Sequence, residues 1–335
     1  MRKITDIAAY ADYAAAAPEG GPEVEAALDR IACFNEVMLH EYFWYGLGPA
    51  IVEATGLSAS DLRATRFQHG VTLPGEVNPW YLKPPKPLLT FRQDDAATYT
   101  AAGVPALAIG APHLYAKRAQ GVIRPDEPRG TLVFLSHSTH HIETLADFDG
   151  LAANLQRMTQ DDAVDERLKP FVAMVYWKDA LLGRHAPFLE RGIRCLTAGH
   201  MFDTQFIAQF YTILREFHCA AGDDIGTAAF LAAEMGLPFL RLGSLPHYVS
   251  RTGQDSGFSA QKEVPLQSAA LSHAGYRAWV EDLEQASRVA LEGGDASALT
   301  ALGARICGAP HLRSGGELEA FVDRHRMAPS APAEV

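Results

Sequence analysis

A regular alternation of short apolar segments with longer helical ones constrains the fold of this chain more than any other feature. After residue 130, five apolar runs of four to six residues are separated by stretches with the three- and four-residue spacing of helices. The runs are 131–135, 171–176, 195–198, 218–221 and 237–242, and the helices are expected near 147–158, 180–191, 204–217 and 225–235. None of the runs shows an alternating polar face, which predicts a parallel sheet covered on both sides.

A smaller unit of the same kind precedes this region. Strands are predicted at 64–68, 87–91 and 106–109, with a helix at 94–102, after a largely helical start over residues 1–60. Residues 119–130 are polar and rich in Gly and Pro, so they form the best linker. We therefore expect an α/β protein with two Rossmann-like parallel-sheet domains, 1–120 and 130–265. Helices over 266–326 are expected to pack back over them, and a tail over 327–335 to be disordered.

Composition excludes several classes of function. The 335 residues carry a formal net charge of −11, which argues against a nucleic-acid binder that works by neutralising phosphates. No apolar run reaches the roughly 18 to 20 residues that span a bilayer, and the start lacks the apolar core of a secretory signal. The four cysteines form no CxxC pair, so free thiols in a reducing cytoplasm are expected.

The loops after the strands are where a ligand of such a sheet is expected to bind. The most informative is "AGDDIGTA" (221–228), in which a turn of small residues enters a helix at Gly226 and Thr227. Free amides at a helix N-terminus bind phosphate. The alternative is that Asp224 only caps the helix. Two aspartates beside a phosphate are unfavourable, so one must turn elsewhere, for instance to a ribose hydroxyl.

The loop "SHSTHH" (136–141) has two interpretations. His137 and His141 have the i, i+4 spacing of a zinc site, but no HExxH glutamate accompanies them. The hydroxyls of Ser136, Ser138 and Thr139 fit a turn whose amides face an oxyanion or phosphate. We prefer the second interpretation. A third, in which one of the hydroxyls caps the next helix, stays open.

Other strand-end residues supply candidates for acid–base chemistry and for charge. His69 follows a strand of the first unit, and its imidazole is expected to act as a general base. Lys178, Arg184 and His200 are candidates for offsetting pyrophosphate charge or holding a nucleotide base, although Arg184 also fits an ordinary surface position.

These stretches together resemble the GT-B class of nucleotide-sugar-dependent glycosyltransferases. "HCAAGDDIGTAAFLAAEMGLPFLRLG" (218–243) looks like the segment that holds the donor diphosphate in that class. "FQHG", "IGAPHLYA", "TLVFLSHSTHHIE" and "VYWKD" resemble stretches of bacterial capsule, exopolysaccharide and lipopolysaccharide biosynthesis proteins. "QHG" is also similar to the His-Gly motif of CDP-glycerol glycerophosphotransferases. The first domain is short for the class, and a His-Pro pair is absent from the sequence.

The resemblance implies a metal-independent transferase without a cofactor. The donor diphosphate would lie on the amides of Gly226 and Thr227, helped by the 136–139 turn and Lys178, with Asp224 and His200 nearby. His69 would take the proton of the acceptor hydroxyl. The acceptor would be a glycan or a lipid-linked molecule of bacterial surface polysaccharide synthesis, handled in the cytoplasm or at the inner face of the membrane.

Three alternatives follow from the same residues. A metal-dependent hydrolase would use His137, His141, His200 and Asp203. A sugar-nucleotide epimerase, or a non-catalytic binding partner, would keep the same fold without transfer. Peripheral membrane contact through Phe43, Trp44 and Tyr45 is a further expectation, although the segment lacks the basic face of an interfacial helix, which favours core packing.

Overall fold

A computed structural model describes residues 4, 6–15, 22–34, 40–82, 86–139, 142–250 and 272–325. The protein is α/β, with two sheets of parallel strands and a short antiparallel pair. The strands are β1 (Arg66–Phe67), β2 (Leu88–Thr90), β3 (Ala106–Ala108), β4 (Thr131–Phe134), β5 (Ile142–Leu145), β6 (Phe171–Met174), β7 (Cys195–Leu196), β8 (Cys219–Gly222), β9 (Phe239–Arg241) and β10 (His247–Ser250). All eight strands predicted from the apolar runs are present.

Helices surround the sheets. They are α1 (Ile7–Ala15), α2 (Val24–Ile31), α3 (Leu47–Thr55), α4 (Ala59–Arg63), α5 (Gln93–Ala101), α6 (Pro112–Ala119), α7 (Phe148–Gln160), α8 (Trp177–Leu181), α9 (Ala186–Leu189), α10 (Phe206–Leu214), α11 (Thr227–Glu234), α12 (Ala274–Leu291), α13 (Ser297–Ile306) and α14 (Gly315–His325). None of these described helices is both long enough and apolar enough to cross a bilayer. The predicted disordered tail, 327–335, lies outside the described residues.

The larger sheet has the strand order β7-β6-β4-β8-β9, with every neighbouring pair parallel. Numbered along the chain within this sheet, the order is 3-2-1-4-5, which is that of a Rossmann-like fold. The order reverses between β4 and β8. Ligands of such sheets bind outside the carboxyl ends of the strands at this point. A ligand site is therefore expected at the loops after β4 and β8.

The smaller sheet contains β1, β2 and β3 in sequential order, again parallel. Its core strand β2 is buried along its whole length, as a central strand covered on both faces must be. The loops after β1 and β2 carry His69 and Arg92, and α6 begins after β3. The carboxyl edge of this sheet therefore also presents polar side chains.

The helix predicted over 180–191 is interrupted, and this part of the prediction was wrong. α8 ends at Leu181 and α9 begins at Ala186, with Gly183 between them in the left-handed conformation at φ 71°. The backbone N–H of Arg184 turns back to the carbonyl oxygen of Asp179 at 3.0 Å. Glycine makes this reversal inexpensive because it has no Cβ to clash.

The antiparallel pairing of β5 with β10 was not predicted. Its register joins His247 to Leu145 and Ser250 to Ile142. The two strands lie about a hundred residues apart in the chain, and only local alternation marks them. Tyr248 of β10 is carried by this pairing to the edge of the larger sheet.

The N-terminal segment packs against the larger sheet, whereas the sequence suggested grouping it with the smaller one. The N–H of Thr197 donates to the carbonyl oxygen of Pro22 at 2.7 Å, beside β7. Arg30 of α2 forms a buried ion pair with Asp203, with N–O distances of 2.7 and 2.9 Å. A buried charge needs such a partner, so this pair ties the segment to the loop after β7.

The C-terminal helices contact elements of both sheets. Gly303 of α13 lies so close to α11 that an added Cβ would be 2.1 Å from the Glu234 amide nitrogen. Gly308, at φ 70°, faces the end of β2, where an added Cβ would be 1.9 Å from the Phe91 carbonyl oxygen. Arg313 donates from Nε to the Ala108 carbonyl oxygen of β3 at 3.1 Å.

Candidate functional site

The carboxyl edges of the two sheets meet at the start of α11. The N–H of Val71, in the loop after β1, donates to Oγ1 of Thr227 at 2.9 Å. An added Cβ at Gly70 would lie 3.0 Å from the same oxygen, so a larger residue there requires a shift. His69 immediately precedes these two residues. The contact therefore brings the loop that carries the predicted base to the predicted phosphate-binding helix, although 158 positions separate 69 from 227 in the chain.

The N-terminus of α11 is open in the described part of the chain. Gly226 is its N-cap, is exposed, and no atom of the described residues lies within 4 Å of where a Cβ would stand. Within the described residues, the amides of Thr227 and Ala228 have no acceptor. Unpaired amides and the positive end of the helix dipole together favour an anion. The alternative that Asp224 caps this helix is wrong, because Gly226 occupies the N-cap position.

The two aspartates that precede α11 both accept hydrogen bonds from protein donors. Asp223 accepts from the amide and the hydroxyl of Ser136 at 2.9 and 2.7 Å. Asp224 accepts from the hydroxyl of Tyr248 of β10 at 2.9 Å. Burial raises the pKa of Asp223 to about 6, although the hydrogen bonds from Ser136 favour its charged form. Protonation of Asp223 below this pH reduces the repulsion that an anion at α11 would meet.

His69 is half-buried beside aromatic rings. Its Nδ1 lies 3.0 Å from the hydroxyl of Tyr81, and the ring of Trp44 meets it edge-on with 4.8 Å between centroids. Burial lowers the pKa of His69 below its ordinary value of 6.5. The imidazole is therefore neutral at pH 7, as a general base must be, and the contact with Tyr81 leaves Nε2 for a substrate.

The predicted hydroxyl turn after β4 is largely occupied by protein contacts. The amide of Ser138 donates to Asp179 at 2.8 Å, and its hydroxyl contacts Arg184 at 2.6 Å. Thr139 closes the turn into β5 through both its amide and its hydroxyl, which pair with Ile142. With Ser136 engaged by Asp223, these three residues hold the loop in shape. Their predicted role as a phosphate cradle finds no support in these contacts.

Arg184 is part of the same network and is not an ordinary surface residue. It bridges the Asp179 and Glu143 carboxylates at 2.8 and 3.0 Å and also donates to the carbonyl oxygen of Thr144. An arginine with this many acceptors fixes neighbouring loops in place. Its guanidinium joins the loop after β4 to α8, which explains why the turn needs no ligand to keep its shape.

Lys178 and His200 follow neighbouring strands but have different surroundings. The ammonium of Lys178 lies 5.6 Å from the ring centre of Trp177, and burial lowers its pKa. His200 is only 1% exposed and stacks on Phe34 with 4.4 Å between centroids. A ring enclosed in this way cannot contact a nucleotide in an open cleft. The N-terminal segment covers His200, and no local pattern in the sequence indicates this contact.

The residues of the metal-hydrolase alternative do not converge. Asp203 is paired with Arg30, His200 is enclosed by aromatic rings, and His137 lies against the ring of Tyr176 at 4.3 Å. His141 lies outside the described residues. Among those that are described, no group of three or more His, Cys, Asp or Glu side chains is placed to hold a metal ion.

Several residues near His69 were missed as candidates. His113, in the first turn of α6, is buried, and burial, followed by the charge of nearby His69, lowers its pKa to about 3. Its Nδ1 has no hydrogen-bond partner among the described residues. Tyr45 and Tyr176 meet through their hydroxyls at 2.9 Å. His113 and Tyr176 each follow a strand, and this position could have identified them as candidates. No local sequence pattern identifies Tyr45.

Two of the three aromatic residues considered for membrane contact belong to the core. Phe43 and Trp44 are 5% and 6% exposed. The expectation of core packing is therefore confirmed for these two residues.

The four cysteines are unpaired and buried.

No protein-family model and no curated protein matches this sequence.

Proposed function

We propose that this protein is a nucleotide-sugar-dependent glycosyltransferase in which the two parallel sheets face each other across a GT-B-like cleft. One observation carries the proposal: the Val71–Thr227 hydrogen bond brings the loop that carries His69, whose imidazole is neutral, to the open N-terminus of α11. This helix follows β8, at the point where the strand order of the larger sheet reverses. An anion site and a base therefore lie at a position where such folds bind nucleotides.

The donor diphosphate binds at the amides of residues 226–228. Because Gly226 has no side chain and nothing stands in front of it, a phosphate oxygen can approach the backbone closely. Asp224 and Tyr248 lie beside this position, and their oxygens offer acceptors to the ribose hydroxyls, since the Tyr248 proton is donated to Asp224. Lys178 follows β6 on the same edge of the sheet and adds positive charge to that edge.

Transfer forms a bond between the acceptor oxygen and the anomeric carbon and breaks the bond from that carbon to the diphosphate. The acceptor proton passes to Nε2 of His69, while Nδ1–H donates to the Tyr81 hydroxyl. The electron pair of the broken bond leaves with the diphosphate, whose added charge is stabilised by the helix amides. The acceptor is a glycan or a lipid-linked glycan of bacterial surface polysaccharide synthesis.

Nucleotide binding is the first test. Thermal-shift measurements with UDP, GDP, CDP, CMP and dTDP should find at least one diphosphate that raises the melting temperature, since a ligand bound only by the folded state stabilises it. CMP, which lacks the second phosphate, should raise it less. If none of the five shifts the melting temperature at millimolar concentration, the donor assignment is refuted.

Catalysis is tested separately with His69→Gln. Gln retains a hydrogen bond to Tyr81 but cannot take a proton at neutral pH, so nucleotide release from the donor in the presence of acceptor should fall at least about a hundredfold. The donor-induced thermal shift should be retained. His218→Gln is the matched control, because His218 is also half-buried but lies before β8, at the opposite edge of the sheet. Equal turnover in both variants would exclude His69 as the base.

A further inference from the structure

A group of partly exposed aromatic side chains lies beside the loops that follow β4 and β6. We call Tyr45, His137, Tyr176 and Phe206 the aromatic patch. The Tyr45 and Tyr176 hydroxyls are 2.9 Å apart, and the Tyr45 ring meets that of Phe206 at 4.9 Å. The exposed His137 ring lies 4.3 Å from that of Tyr176. Trp44, the neighbour of Tyr45 in the chain, contacts His69.

The backbone at Tyr45 is held in an unusual conformation. Tyr45 has φ 56° and ψ 12°, and it is the one residue other than glycine with positive φ in the described part of the chain. Its N–H donates to the Met201 carbonyl oxygen, and an added Cβ at Gly46 would lie 2.5 Å from the Thr204 carbonyl oxygen. Two contacts to the loop after β7 thus impose the left-handed turn.

This turn determines where the tyrosine points. Its neighbours Phe43 and Trp44 are buried, whereas Tyr45 extends to Tyr176 at the end of β6 and remains partly accessible. A left-handed tyrosine is strained, and such residues persist where the surrounding structure enforces them, often at binding sites. Core packing alone does not require two facing hydroxyls beside an exposed imidazole.

We infer that the aromatic patch binds a sugar ring of the acceptor, an assignment that rests on the proposed transferase function. The C–H face of a pyranose packs on aromatic rings, and its hydroxyls require donors and acceptors at the same place. Tyr45, Tyr176 and His137 provide both. Because Trp44, the chain neighbour of Tyr45, contacts His69, we place the hydroxyl that reacts on the side of the bound sugar that faces the proposed base. A lipid chain would gain nothing from the paired hydroxyls.

Saccharide binding can be measured without turnover. Saturation-transfer NMR with glucose, galactose, N-acetylglucosamine and their disaccharides, in the presence of the nucleotide that binds best, should show transfer to sugar C–H protons for at least one saccharide. Tyr45→Phe and His137→Ala should weaken that binding about fivefold or more, because each removes a hydrogen-bonding group. Neither should change the nucleotide-induced thermal shift.

Tyr211→Phe is the matched control, since the Tyr211 hydroxyl is buried without a partner among the described residues and its loss should leave both ligands unaffected. His137 is exposed, so its replacement tests the patch even if Tyr45→Phe fails to fold. Loss of the nucleotide shift in the patch variants would show that the patch holds the donor base and would overturn the inference. Absence of saccharide contact in the wild type, or unchanged affinity in both variants, would overturn it too. Saccharide binding without any nucleotide binding would instead refute only the proposed donor.

Discussion

A negative charge at the start of α11 should weaken donor binding without harming the fold, and Gly226 is the position at which to introduce it. Gly226 has φ −138°, an ordinary extended conformation, and an added Cβ meets nothing within 4 Å. Gly226→Asp and Gly226→Asn are therefore both accommodated. Both side chains are favoured helix N-caps, so each variant should be at least as stable as the wild type.

The two variants differ in charge alone, which allows the effect on binding to be estimated. Two unit charges 4 Å apart interact by about 1 kcal/mol in bulk water and about 4 kcal/mol at an effective dielectric constant of 20. Because Gly226 is exposed, the interaction energy in bulk water is the better approximation. The two negative charges of a diphosphate double this energy. A penalty of about 2 kcal/mol corresponds to about thirtyfold weaker binding.

Titration calorimetry with inorganic pyrophosphate, and with the nucleotide selected by the thermal-shift screen, gives the comparison. We expect Gly226→Asp to bind both about thirtyfold more weakly than Gly226→Asn, and the difference to shrink in 1 M salt as the charges are screened. Thermal melting without ligand provides the control for folding. Equal affinities of the Asp and Asn variants would show that the diphosphate does not lie at this helix.

Three further predictions concern stability. Asp203→Ala removes the carboxylate that pairs with the buried guanidinium of Arg30 and should lower the free energy of unfolding by about 3 to 5 kcal/mol in urea titrations; a loss below 1 kcal/mol would contradict this. The pKa of Asp223 is raised from 3.8 to about 6 in the folded protein. The folded state therefore binds the extra proton, and stability should fall as pH rises from about 4 to 6, by up to about 3 kcal/mol relative to Asp223→Asn. A parallel pH dependence of the two proteins would refute it. Gly308→Ala combines a left-handed backbone with a clash and should cost about 2 to 5 kcal/mol, compared with about 1 to 2 for Gly293→Ala, where φ is 86° and the space is open.

Local patterns were sufficient to predict most elements of the fold. A run such as 131–135 is apolar on both faces because its strand is covered on both faces, so burial can be read directly from composition. The break between α8 and α9 was missed because the glycine turn at Gly183 lies within a stretch whose apolar spacing continues. β5 and β10 were missed because they form only when distant segments pair.

For the site, the sequence determined the local chemistry: an imidazole after one strand, and small residues entering a helix after another. The tertiary structure decided which of these groups meet. It brought the loop of His69 to α11 through Val71 and covered His200 with the N-terminal segment. It also engaged Ser138 with Arg184 and turned Tyr45 toward Tyr176. The periodicity of apolar residues indicates how each segment is buried but carries no information on which strands become neighbours. Which loops share an edge is determined by the strand order and by contacts between distant segments.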